Sequence, residues 1–307
     1  MNEYVIWIAG PLIGFIGMMS GGYWGIGCGW IVVPTMLILG FDPLTAVGIG
    51  LLQMAPATLP TVIRQLPEIG WGSRQPGWTL AFPIAIGALL TSLTGKPINR
   101  CLLDYFGSAR PLQWLLVIVI LIMALQTLCT RTAVDASEMP VIGLRRQTAA
   151  FATGLGTGVL SSLLGIGGGM VIRPLLTSIF RTPEYYTSRI VRLLVQTTST
   201  VGGLSYVFHS GRLDWTILTA AALTAAGGLA GFPLGVRMHE IVFRAGYAQH
   251  IHKSFALIAA AVLINTLLNL AGYNLLSRYL MLAIAVGLGL YLWRFTVYAG
   301  NHVIRSS

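Results

Sequence analysis

The sequence predicts an all-α polytopic membrane protein, and three observations lead there. Of 307 residues, 55% are hydrophobic and only 9% are charged, against roughly 25% charged in an ordinary soluble domain. Apolar stretches recur at 4–19, 78–93, 111–130, 255–270 and 279–298, each close to the roughly 20 residues that cross a bilayer. Finally, a glycine-rich break interrupts apolar surroundings twice. The first copy reads Gly25-Ile26-Gly27-Cys28-Gly29 with Pro34 following, and the second Gly165-Ile166-Gly167-Gly168-Gly169 with Pro174 following. The interval is the same for both landmarks, 165 − 25 = 140 and 174 − 34 = 140. Glycine costs about 1 kcal/mol relative to alanine inside a helix. Matched breaks in two halves of an apolar chain point to discontinuous membrane helices around a binding site.

The interval organises the rest of the chain. Gly14 and Gly154, Pro43 and Pro183, Gly87 and Gly227, and Gly95 and Gly235 all repeat at 140, while Gln53 and Gln196 repeat at 143 and Trp71 and Trp215 at 144. An ordered series of this kind predicts two tandem repeats. The first unit is placed at 1–130, a polar linker with Pro140 and Gly143 at 131–146, and the second unit at 147–272. One extra C-terminal helix and a tail occupy 273–307. Each unit is expected to hold a helix (4–20; 147–163), the break, and a short apolar helix (30–40; 170–180). Three further helices follow in each: 44–65 and 187–208, 78–96 and 215–237, 111–130 and 252–271. The extra helix is expected at 278–298. Met1-Asn2-Glu3-Tyr4 lacks the basic n-region of a secretory signal, so the first apolar segment is expected to be a transmembrane helix.

The net charge of +10 is scattered in short loops, which argues against a nucleic-acid partner and for loops held at the cytoplasmic side of a bilayer. Lys96, Arg100 and Arg110, and in the second unit Arg237, Arg244 and Lys253, mark two connections expected to be cytoplasmic. Arg294 and Arg305 place the C-terminus inside. If each broken helix crosses once, nine spans result, the N-terminus lies outside and the units run parallel. If the short piece turns back, the units are inverted. The sequence is compatible with both.

The breaks suggest a ligand. A helix start leaves about four N–H groups unpaired, so in lipid it must face protein or a water-filled cavity. Its dipole favours an anion. Glycines also permit close helix packing, a role that needs no ligand. The candidate substrate-binding residues are therefore Ser20, Tyr23, Trp24, Gly25, Gly27 and Gly29 at the first break and Ser161, Gly165, Gly167, Gly168 and Gly169 at the second. Gln53, Gln196 and Thr197 come from the following helices, and Arg173 and Arg192 supply charge. Guanidinium forks suit oxyanions. Arg189 reads as an interfacial anchor. All nine acidic residues fall at or near segment ends, where proton relays are not normally built. The five histidines also fall outside the expected spans or at their ends. No metal or cofactor is expected, and His250 and His252 read as a solvated loop. The three cysteines, Cys28, Cys101 and Cys129, have no metal-like spacing and read as apolar fillers.

Gly165–Pro174, preceded by Gly154 and Ser161, resembles the signature of the TauE/SafE family, with the first copy departing at Cys28 and Tyr23-Trp24. The resemblance implies a membrane transporter, not an enzyme, that exports sulfite, sulfoacetate or other organosulfonates across the bacterial inner membrane. The partners expected are a small anionic substrate and the lipid bilayer, with a homo-oligomer possible. Export of one negative charge from an inside-negative cell is favourable by about 2.3 kcal/mol per 100 mV, so a potential-driven uniporter is the expected mechanism. An anion channel, a membrane enzyme and a purely structural subunit are the rivals.

Overall fold

The computed structural model describes residues 3–72, 75–129, 143–209 and 212–306. Most of the expected linker, 131–142, lies outside the described residues. Twelve helices follow one another: α1 (Glu3–Trp24), α2 (Gly29–Ile38), α3 (Pro43–Gln65), α4 (Phe82–Ser92), α5 (Gly95–Phe106), α6 (Arg110–Cys129), α7 (Leu144–Leu164), α8 (Gly169–Ser178), α9 (Glu184–Val207), α10 (Trp215–Arg244), α11 (Ala248–Leu270) and α12 (Asn274–Ser306). A two-stranded antiparallel hairpin, β1 (Phe208–His209) with β2 (Arg212–Leu213), joins α9 to α10. Among the described residues five helices are long and apolar enough to cross a membrane, or six if the bent pair Gly77–Ser92 and Gly95–Phe106 counts as one span. This is an all-α, multi-pass integral membrane protein.

Local chemistry sets the boundaries. Asp42 caps α3 by accepting from the Leu44 and Thr45 amides, both at 3.1 Å, with Pro43 pre-set for the first helical position. Asp214 does the same for α10, accepting from Thr216 and Ile217. Gly165, at φ 73°, ends α7 in the left-handed region that L side chains avoid. Between Ser92 and Gly95 the chain bends by 42°, whereas the matching stretch in the second half continues as the 30-residue α10.

Residue pairs fix the directions. Pro11 sits against Gly227, Phe15 against Gly231 and Met19 against Gly235, so α1 and α10 run parallel. Gly48 meets Ile217 and Ala57 meets Gly228, so α3 also runs along α10 in the same direction. The chain must therefore reverse between α1 and α3. Helix α2 makes that return, bringing Val32 back against Gly17. Ten residues of helix span about 15 Å, half of a hydrocarbon core of roughly 30 Å. The α1–α2 pair is thus a re-entrant hairpin. In the second half α7 runs parallel to α4 (Gly154 on Ile84, Gly158 on Ala88), and α8 turns back so that Gly168 meets Thr157.

Helices α3 and α9 cross at the centre in opposite directions, with Gly48 near Tyr206, Leu52 near Gly203, Thr58 bonded to Gln196 and Gln65 bonded to Arg192. Of the two arrangements the sequence allowed, the re-entrant one is found.

Two expectations are corrected. The stretch holding Lys96 and Arg100 is not a loop but helix α5. Its exposed Arg100–Asp104 pair (3.9 Å) and buried Asn99 show the two-faced character that hid it among charges. The α5–α6 and α10–α11 connections also lie on opposite faces of the molecule rather than both on one. Helix α4 shares its direction with α9 (Ser92 near Gly202, Lys96 bonded to the Tyr206 carbonyl) and so opposes α10.

Candidate functional site

The two breaks meet at the centre of the molecule. Gly29 lies so close to Gly165 that a Cβ there would fall inside the Gly165 carbonyl, and a Cβ on Gly169 would stand 2.6 Å from the Ile26 oxygen. Gly27 is less tightly placed: a Cβ there would stand 3.1 Å from the Ile166 carbonyl oxygen, and its φ of 81° lies in the left-handed region. Glycine is required by this backbone-to-backbone approach. Neither short helix receives a side-chain cap at its start. The space between the breaks, where a ligand would be expected, is filled by main chain.

Most of the remaining candidates serve the seam. Ser20 donates to its own helix at the Gly17 carbonyl (2.6 Å) and Thr197 to Leu193 (3.0 Å). The Trp24 indole donates to Ile251 O at 3.1 Å and packs edge-on against Trp30 and Phe255. Gln53 donates to the Cys28 sulfur at 3.0 Å. Gln196 accepts from Thr58 at 2.5 Å and donates to Thr200 at 2.9 Å, tying α3 to α9. Three buried oxygens around the seam have no hydrogen-bond partner among the described residues: Tyr23 OH, Gln53 Oε1 and Ser161 Oγ. Cys28 is buried at the break, whereas Cys101 is exposed on α5. The side chains of Cys129 and His252 lie outside the described residues.

The charged candidates separate sharply. Arg173 reaches from α8 across the seam to donate to the Trp24 carbonyl at the C-terminal end of α1, and it pairs with Glu184. It is a clamp on the broken helix. Arg189, the expected anchor, is held by Glu68 (Nε–Oε2 2.6 Å) and stacks on the Tyr185 ring at 3.5 Å. Arg192 differs from both. It is 2% exposed, and Nη1 donates to Gln65 Oε1 at 2.9 Å. Its Nε and Nη2 have no partner among the described residues. A buried cation without a paired carboxylate is costly, and two unpaired N–H groups form half of an oxyanion fork.

Sequence reasoning missed a polar cluster at the end of α1. His239 is not at a span end but inside α10, 5% exposed. Its Nδ1 lies 2.7 Å from the Tyr23 carbonyl and its Nε2 4.0 Å from Glu184 Oε1. Glu184 starts α9, as its position at a segment end implied, yet it is drawn into this cluster and away from water. The second break has a neutral counterpart: Asn99 Nδ2 donates to the Leu163 carbonyl at 3.3 Å, and Tyr206 OH donates to the Ser162 carbonyl at 2.9 Å. The pairs follow the repeat interval, 239 − 99 = 140 and 163 − 23 = 140. That interval pairs His239 with Asn99, but Asn99 itself read as part of a loop beyond 96, so the interval alone did not place His239 inside a helix.

Comparisons with known proteins bear on the family of the chain. The model of the family described as sulfite exporter TauE/SafE matches residues 10–266. A relative described as a probable membrane transporter protein from Xylella fastidiosa (strain 9a5c) is 27% identical over 258 residues, covering 83% of this chain and 91% of the relative. No solved structure matches.

Proposed function

The chain belongs to the sulfite exporter TauE/SafE family of membrane transporters, and we propose that it exports sulfite, sulfoacetate or a related organosulfonate across a bacterial cytoplasmic membrane. One observation carries the anion assignment beyond the family description. Arg192 is a buried guanidinium whose Nε and Nη2 have no partner among the described residues. Burial makes an unpaired cation unfavourable, and an oxyanion accepting both N–H groups restores the balance. Gln65 orients the fork through Nη1. Arg173 and Glu184 lie within electrostatic reach of Arg192 and tune the charge of the site.

The two halves are read as a duplicated unit in inverted orientation, on the strength of the 140-residue interval and the opposed α3 and α9. Transport then follows from one half moving against the other. The glycine seam is the closed position, and the unpaired Tyr23, Gln53 and Ser161 oxygens are groups that a ligand or water meets when it opens. The basic residues favour one face. Arg64, Arg145, Arg146, Arg181, Arg189, Arg237, Arg244, Lys253 and Arg294 lie toward the face reached by the C-terminus, with fewer (Lys96, Arg100, Arg110, Arg212 and Arg278) opposite. By the positive-inside rule this asymmetry supports a cytoplasmic C-terminus and an N-terminus outside.

The test is reconstitution into liposomes with sulfite, sulfoacetate and sulfate as alternative cargoes. Saturable efflux of at least one of them, lost in liposomes without protein, is expected. Protein-dependent flux that never saturates would identify a channel, and the absence of flux for every anion would overturn the reading.

A further inference from the structure

We propose that His239 is a proton-binding site coupled to the anion site, so that each anion bound brings one proton onto the protein. The inference rests on the anion reading above for its partner site but on separate atoms for its chemistry. The short contact of Nδ1 with the Tyr23 carbonyl, 2.7 Å, requires a proton on Nδ1, because a carbonyl only accepts. That fixes the neutral tautomer and turns the basic Nε2 toward Glu184 Oε1 at 4.0 Å. A proton taken from solution at Nε2 creates an imidazolium held between two acceptors: a carbonyl at the negative end of α1 and a carboxylate.

Among the described residues, the ionisable groups with a contact or electrostatic interaction in this region come from five of the surrounding elements. They are Tyr23 of α1, Arg173 of α8, Glu184 and Arg192 of α9, Glu240 of α10 itself and Tyr291 of α12.

The coupling follows from a shared carboxylate. Glu184 serves Arg173 when His239 is neutral. Once Nε2 is protonated, the same carboxylate serves two cations, and the Arg173 fork is less firmly held. Arg173 and Arg192 repel each other across this space, so an oxyanion entering there gains a second cation. Its own negative charge in turn favours the proton on His239. Linkage makes the effect reciprocal: protons strengthen anion binding by the factor by which anions strengthen proton binding. The second break has no such device. Asn99, at the matching position, makes the same carbonyl contact with no titratable atom.

Two measurements on the purified full-length protein test the proposal. Sulfoacetate is the probe, because both of its acidic groups remain ionised near neutral pH and any protons counted belong to the protein. Calorimetric titration of sulfoacetate in buffers of different ionisation enthalpy is expected to show uptake of close to one proton per anion in the wild type. The His239→Asn variant, which copies the arrangement at Asn99, is expected to bind the anion with uptake near zero. Equal proton uptake in both proteins overturns the coupling. The second measurement needs no anion: the unfolding midpoint of the wild type is expected to fall relative to His239→Asn as pH rises from about 5.5 to 8. A difference that does not change with pH overturns the proton site. If sulfoacetate, sulfite and sulfate all fail to bind while this pH dependence persists, the coupling and the transport reading fall and the proton site stands.

Discussion

The two breaks share a plan and differ in charge. Each ends a long helix in a left-handed glycine, turns back through a ten-residue helix and presses its glycines against the other. At the second break the terminal carbonyls of α7 meet a neutral amide and a phenol, Asn99 and Tyr206. At the first, the terminal carbonyls of α1 meet His239 and Arg173, with Glu184 behind them. Two halves built on one backbone plan can divide labour this way. Backbone geometry is common to both halves because close packing demands glycine in both. The ionisable chemistry is placed once, since a second set would leave more charge buried at the centre, where desolvation is costly.

The largest effect is expected where the seam is tightest. Gly29→Ala places a methyl group inside the Gly165 carbonyl and is expected to prevent recovery of folded, monodisperse protein, at a cost on the order of 3 kcal/mol or more. Gly169→Ala, with 2.6 Å to the Ile26 oxygen, is expected to be damaging but less so. Denaturation in detergent ranks the two. If Gly29→Ala folds with wild-type stability, the seam is not the tight backbone contact described.

Next comes the clamp. Arg173→Gln removes the ion pair and leaves Glu184 partly buried, a loss of roughly 3 kcal/mol. Arg173→Gln combined with Glu184→Gln is expected to be less destabilised than Arg173→Gln alone. The corresponding change at the other half, Val33→Gln, removes no charge and is not rescued by Glu184→Gln. Equal damage from the single and double variants would make the Arg173–Glu184 pair incidental. The smallest effect belongs to Ser20. Its hydroxyl bonds its own backbone, so Ser20→Ala is expected to change stability and anion affinity by less than about 0.5 kcal/mol.

Much of this was legible in sequence, for physical reasons that can be named. Composition dictated the membrane class, because a chain with 9% charge has too little polar surface for water. The breaks and their interval located the centre of the fold, since glycine and proline are the residues whose backbone consequences are local. Direction was not legible: whether α2 continues or returns depends on packing of Val32 against Gly17, which no pattern of apolar residues encodes. Helix α5 was hidden because its polar face reads as a loop.

In the site, Arg192 was identified from its position early in a helix. What distinguishes it from Arg173 and Arg189 is partnership, which comes mostly from distant parts of the chain: Trp24, besides the nearer Glu184, for Arg173, Glu68 for Arg189 and, among the described residues, Gln65 alone for Arg192. His239 was misplaced because α10 runs seven residues beyond its expected end at 237, to Arg244.

The central claim is that Arg192 holds the anion, and it has no ionisable counterpart in the first half, where the matching position (192 − 143 = 49) is Ile49. The direct test is Arg192→Gln, measured both for sulfoacetate and sulfite affinity and for thermal stability without ligand. Loss of a charge-assisted bond of about 1.5–3 kcal/mol corresponds to roughly 10- to 100-fold weaker binding, and removal of an uncompensated buried charge is expected to raise the ligand-free unfolding temperature. Unchanged affinity together with lower stability would contradict the account, because Arg192 would then be a structural cation and the anion would bind elsewhere.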